Sequence, residues 1–128
     1  YAYSLLKQYK GEWEFDTNWK MIFGHPKKAG WIKAIQEAQQ TVQKGLKLDC
    51  PILVMSSNKS FPETETWHEE YMTSDIVLDV QDIQKYGEKL GDKVTRDTIP
   101  NGIHDLILSQ KPYRNDAYQT IFEWLKKQ

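Results

Sequence analysis

Two residues in the second half of the chain have the type and setting for proton-transfer chemistry: Asp75, in SDIVLDV, and His104, in NGIHDLILS. A histidine serves as general base toward a hydroxyl nucleophile. It needs a carboxylate to hold one imidazole tautomer and to stabilise the imidazolium that forms. Asp79 stands close enough to Asp75 to be a rival acid, but it is also placed to cap the helix that follows, and the cap role is favoured. Asn58 sits where an acid directly after a strand would be expected.

The elements around these residues can be read from pattern. Residues 27–45 place Trp31, Ile35, Ala38 and Val42 at helical spacing, with Gly45 as a stop. PILVMSS, residues 51–57, is a short continuous apolar run of the kind buried on both faces of a parallel sheet. Residues 58–74 are polar and irregular. Residues 79–90 form a helical pattern in which Val80, Ile83 and Leu90 face a sheet. Residues 92–99 alternate as a strand, and Pro100-Asn101-Gly102 makes the turn that presents His104. A last helix spans 114–127, with Tyr118, Ile121, Phe122 and Leu125 on one face and lysines at its end. Residues 1–26 are aromatic-rich and irregular, with a short helix expected over 2–10.

Helix, strand, helix, strand, helix is an α/β order with parallel strands and crossover helices. In such sheets sites form beyond the carboxyl ends of the strands. The loops carrying Asp75 and His104 should therefore open on one edge. Only two strands are evident, which leaves open edges and a small core, so the domain is expected to be incomplete.

PILVMSS, SDIVLDVQDI, the strand ending IPNGIHDLILS, and AYQTIFEWL together resemble the C-terminal third of α/β-hydrolases of the serine aminopeptidase and lysophospholipase-like branch. The resemblance covers roughly residues 27–128, with 1–26 similar to a cap-side or connecting segment. It implies an acid at Asp75 and a base at His104. It also implies hydrolysis of small acyl esters or amides through an acyl-serine, with no metal or organic cofactor. The family's nucleophile sits in a G-x-S-x-G elbow. None of Ser4, Ser56, Ser57, Ser60, Ser74 and Ser109 has that setting. The nucleophile and the oxyanion hole would belong to a missing N-terminal half, and the chain alone is expected to be inactive. A non-catalytic binding or assembly module derived from the same fold is the alternative; a fragment that survives only with its other half bound is a third.

Charge is balanced, with 17 basic and 18 acidic residues among 128, so nothing asks for nucleic acid or an anionic membrane surface. No window approaches the ~20 apolar residues of a membrane span. A single cysteine, Cys50, excludes an internal disulfide framework and fits a reducing, cytoplasmic setting. It is expected to be a small core hydrophobe. The start at Tyr1, with neither a methionine nor a signal core, points to a chain that begins mid-protein. His25 and His68 read as surface residues; His68, in WHEE, lacks the paired ligands that zinc needs. Trp31 and Trp124 read as core. Trp13, Trp19 and Trp67 either pack a cap segment, the favoured reading, or line an acyl pocket.

Overall fold

A computed structural model describes residues 1–128. The element order is α1 (Ala2–Leu5), α2 (Ala29–Lys44), β1 (Ile52–Ser57), α3 (Val80–Gly87), β2 (Val94–Ile99) and α4 (Lys111–Leu125), with 3₁₀ turns at Glu69–Met72 and Leu106–Leu108. The two strands pair in parallel, in register from Ile52 opposite Val94 to Ser57 opposite Ile99. A parallel pair needs a crossover, and α3 supplies it. The chain is α/β, as its pattern indicates.

Helices cover both faces of the ribbon. Ile52, Val54 and Ser56 alternate with Leu53, Met55 and Ser57 along β1, so the two sets point to opposite faces. On one face the Gln84 amide of α3 donates to Ser56 Oγ at 2.8 Å, and Arg96 of β2 reaches the Gln84 carbonyl at 3.0 Å. Gly87 lets α3 lie against β1: a Cβ there would stand 2.7 Å from Val54 Cγ1. On the other face the Trp124 indole of α4 donates to Thr95 Oγ1 at 3.1 Å.

The core is small. Only 16 of 128 residues are buried, and none of them lies in α2. Trp31, expected in the core, is 54% exposed, because nothing packs on that side of α2. Cys50 is likewise exposed rather than a core hydrophobe, since it precedes the strand in an open turn. Trp124 is half-buried.

Several boundaries differ from the sequence pattern for local reasons. The N-terminal helix ends at Leu5 rather than near residue 10. Leu6 is already extended and bridges Trp13, with Lys7 N–H donating to the Trp13 carbonyl at 2.8 Å. The last helix starts at Lys111, because Pro112 occupies its first turn, where a missing N–H does no harm. α3 stops at Gly87, short of residue 90. Val80, Ile83 and Leu90 are buried or half-buried, as that face requires.

Candidate active site

The long excursion after β1 closes on itself before it delivers Asp75. Asp75 N–H donates to the Lys59 carbonyl at 3.0 Å, and Phe61 N–H donates to the Asp75 carbonyl at 2.9 Å. These bonds form a one-residue parallel bridge between Ser60 and Asp75. Ser60 Oγ then donates to the Leu78 carbonyl and accepts from Val80 N–H at 2.8 Å, tying the acid loop to the start of α3. Within the excursion Phe61, His68, Trp67 and Tyr71 form a small aromatic cluster. His68 packs there, half-buried, while His25 is exposed.

His104 is presented by the turn after β2. Gly102 N–H donates to the Ile99 carbonyl at 3.0 Å, with Pro100 and Asn101 at the centre. Asn101 has φ 58°, a conformation that asparagine tolerates better than most residues. Its N–H donates to Asn58 Oδ1 at 3.0 Å, so Asn58, in the place where an acid directly after the strand would be expected, holds the His104 turn. Gly102 leaves no room for a side chain: a Cβ would lie 2.6 Å from Leu106 Cδ2. Behind the turn, Ser109 Oγ accepts from Ile103 N–H at 3.0 Å, fully buried.

These two constructions bring Asp75 and His104 together. Asp75 is 1% exposed, and its Oδ2 lies 2.9 Å from His104 Nδ1. Its Oδ1 accepts from the N–H groups of Val77 and Leu78 at 2.8 and 2.9 Å. Burial works against the Asp75 charge and is the largest single influence on it. The bonds from His104, Leu78 and Val77 together outweigh burial and hold the carboxyl below its ordinary range. The bond to Asp75 raises the imidazole above its usual value, against the opposing effect of burial.

An ionised carboxylate only accepts, so Nδ1 carries the hydrogen in the bond to Asp75. In neutral His104 that leaves Nε2 as the basic nitrogen. The imidazole side chain is 29% exposed. This is the arrangement that proton abstraction requires: a buried acid orients the ring, and the basic nitrogen has no partner within the chain.

Asp79 is not part of this pair. Its side chain caps α3, accepting from Gln81 N–H at 2.9 Å. No serine hydrogen-bonds His104. Ser4, Ser56, Ser57, Ser60 and Ser109 are each engaged elsewhere, and Ser74 Oγ is buried with no partner at all.

Around the imidazole stand residues that sequence pattern does not single out. The Tyr1 ring meets the His104 ring edge-on, with centroids 6.2 Å apart. Tyr1 O–H donates to Asp105 Oδ2 at 2.8 Å, and the Lys20 ammonium reaches the same oxygen at 2.7 Å. Only the adjacency of Asp105 to His104 hints at this in the sequence. Tyr1 also lines an open cavity of about 580 Å³ together with the apolar Leu5, Phe15 and Met21 and the charged Lys20, Lys27 and Glu63, and His104 is not among its walls. Trp13, Trp19 and Trp67 do not line it. The Trp13 indole donates to the Leu108 carbonyl and lies under Arg114, Trp67 belongs to the aromatic cluster, and Trp19 is 86% exposed.

No group of three or more histidine, cysteine or carboxylate side chains is arranged to hold a metal ion, and no helix is long and apolar enough to cross a membrane. Neither a family model, nor a curated protein, nor a solved structure matches the chain.

Proposed function

We propose that Asp75 and His104 are the acid and base of a serine-hydrolase triad, and that polypeptide outside these 128 residues supplies the nucleophile and the oxyanion donors. The observation that carries this reading is the 2.9 Å bond from His104 Nδ1 to a buried Asp75, which leaves Nε2 as the basic nitrogen. In the proposed reaction Nε2 takes the serine proton as the hydroxyl attacks the acyl carbon, then returns it to the leaving alcohol or amine. Asp75 stays ionised throughout and stabilises the imidazolium. The cavity beside Tyr1 falls within the size range of small-ligand sites, with a mixed apolar and charged lining.

The free edge of β1 supports the need for more polypeptide. Ile52, Leu53, Val54 and Met55 are apolar on both faces, as in a central strand, yet β1 pairs with β2 alone. A neighbouring strand on that edge is where an elbow serine would enter the site. The same edge favours a second reading, in which the chain is a non-catalytic assembly module that adds its sheet to a partner's.

A fluorophosphonate probe followed by denaturing intact-mass measurement separates the two. Hydrolysis predicts a labelled partner polypeptide, or a longer chain containing this sequence, with labelling and ester turnover abolished by His104→Ala. Near-normal turnover in that variant removes the triad assignment. A folded, unlabelled 128-residue chain that still binds a partner through β1 favours the assembly module.

A further inference from the structure

We propose that Asp105 is a positioning residue for the His104 imidazole: it fastens Tyr1, whose ring braces the flank of the imidazole that Asp75 does not hold. The geometry of this brace stands apart from the hydrolase reading; only its consequence for turnover rests on that reading.

Tyr1 is bound to Asp105 twice. Its hydroxyl donates to Oδ2 at 2.8 Å and accepts from the Asp105 backbone N–H at 3.0 Å, which fixes the phenol in a closed two-bond ring. Burial, more than any other influence, pushes the phenol well above its ordinary pKa, so Tyr1 remains a neutral donor throughout the working pH range. With its hydroxyl fixed, the Tyr1 ring stands at 74° to the imidazole. Two contacts from separate parts of the chain thus hold the His104 ring: the Asp75 bond at Nδ1 and the Tyr1 ring at its side.

The same network deals with a hazard. Asp105 is a carboxylate adjacent to His104 in sequence, and an unengaged carboxylate there would compete with Asp75 for the ring. Tyr1 and Lys20 both occupy Oδ2, and the Lys20 ammonium balances its charge. Lys20 lies 5.8 Å from the Tyr1 ring centre and so ties the N-terminal segment to the same point. The charged and titratable groups facing the imidazole are therefore Asp75 from the acid loop, Asp105 from its own loop, and Lys20 and Tyr1 from the N-terminal segment.

The test uses the 128-residue chain with labelled histidine and tyrosine in solution NMR. It reads the Tyr1–His104 ring cross-peak and the His104 titration midpoint. Asp105→Ala should lose the cross-peak, because the Tyr1 hydroxyl loses its side-chain acceptor, and should move the midpoint down, because a negative charge leaves while Lys20 stays. Lys20→Met should keep the cross-peak and move the midpoint up. Lys10→Gln, which removes a lysine paired with Glu69 elsewhere on the N-terminal segment, should change neither. A cross-peak that persists in Asp105→Ala, or midpoints that move the same way in the Asp105 and Lys20 variants, would overturn the proposal. If Asp105→Ala does not fold, Lys20→Met and Asp105→Asn decide it: the asparagine oxygen still accepts from Tyr1, so the cross-peak must stay while the midpoint moves down, and its loss there overturns the proposal. In a catalytically complete protein, Asp105→Ala should lower kcat more than Asp105→Asn does. Loss of turnover without the NMR changes would leave the triad in place and remove the brace.

Discussion

The acid–histidine cradle and helix α2 are held in place by opposite means. Around the cradle, Ser56, Ser57, Asp75, Ile99, Ile103 and Ser109 are buried and mostly joined by named hydrogen bonds. Along the 16 residues of α2 nothing is buried, and Trp31, Ile32 and Ile35 face outward. α2 is a helix because its sequence has helical periodicity. The cradle is fixed because backbone donors and side-chain acceptors from distant positions close on one another. Helical pattern alone secures secondary structure; buried, satisfied polar groups secure a unique geometry.

Substitution at matched sites sharpens the contrast most. Asp75→Ala strips acceptors from two backbone N–H groups and from His104 at a buried position. It should destabilise the chain by about 3 kcal/mol. Trp31→Ala, a larger truncation on the exposed face of α2, should stay within about 0.5 kcal/mol. Urea unfolding of both variants checks this directly, and comparable losses would erase the distinction between the two regions.

Gly87→Ala probes the boundary between them, where α3 lies on β1. The new methyl would meet Val54 Cγ1 at 2.7 Å and Val54 Cγ2 at 3.2 Å. Overpacking of this kind costs about 1–3 kcal/mol. The double variant Gly87→Ala/Val54→Ala should recover part of the loss in thermal unfolding, since the three nearest atoms all belong to that side chain.

The pH dependence of stability tests the cradle through its charges. The pKa of His104 is raised in the folded chain. Its contribution is therefore complete below the ordinary histidine value, about 6.5, and fades as pH rises through the raised value. The Asp75 pKa is lowered. Its contribution is present above the ordinary aspartate value, about 3.9, and fades as pH falls through the lowered one. Stability from the pair should peak between those limits. His104→Gln should abolish the decline on the neutral side. It should leave part of the decline on the acid side, because Val77 and Leu78 still bond Asp75. Denaturant midpoints across pH 3 to 9 read both limbs.

Much of the scaffold was visible in the sequence. The apolar run at 51–57, the alternation at 92–99 and the helical spacing at 27–45 each mark an element that forms within a few residues of the expected place. Such patterns encode an element through its own periodicity. The order and spacing of Asp75 and His104 were legible for the same reason, since parallel strands with a crossover put both loops on one edge. What surrounds the pair was not legible. Tyr1 meets Asp105 across nearly the whole chain, and Asn58, in the place of a post-strand acid, props Asn101. Those contacts depend on closure of the tertiary structure, which no local period records. Trp31 and Cys50 were misplaced for a related reason: hydrophobic character says that a residue can be buried, not that this chain carries the surface to bury it.

Ser74 offers the smallest effect and the finest distinction. It adjoins Asp75, is 1% exposed, and is the one buried side-chain oxygen without a partner. Every other polar group in the cradle gains from its hydrogen bonds, whereas this hydroxyl is desolvated with nothing in return. Ser74→Ala should therefore be neutral or should stabilise the isolated chain by up to about 1 kcal/mol, the reverse of the usual sign for a buried polar deletion. Thermal unfolding of the chain measures the sign. A loss of stability in the isolated chain would mean that Ser74 is already satisfied and that the cradle is polar-complete on its own.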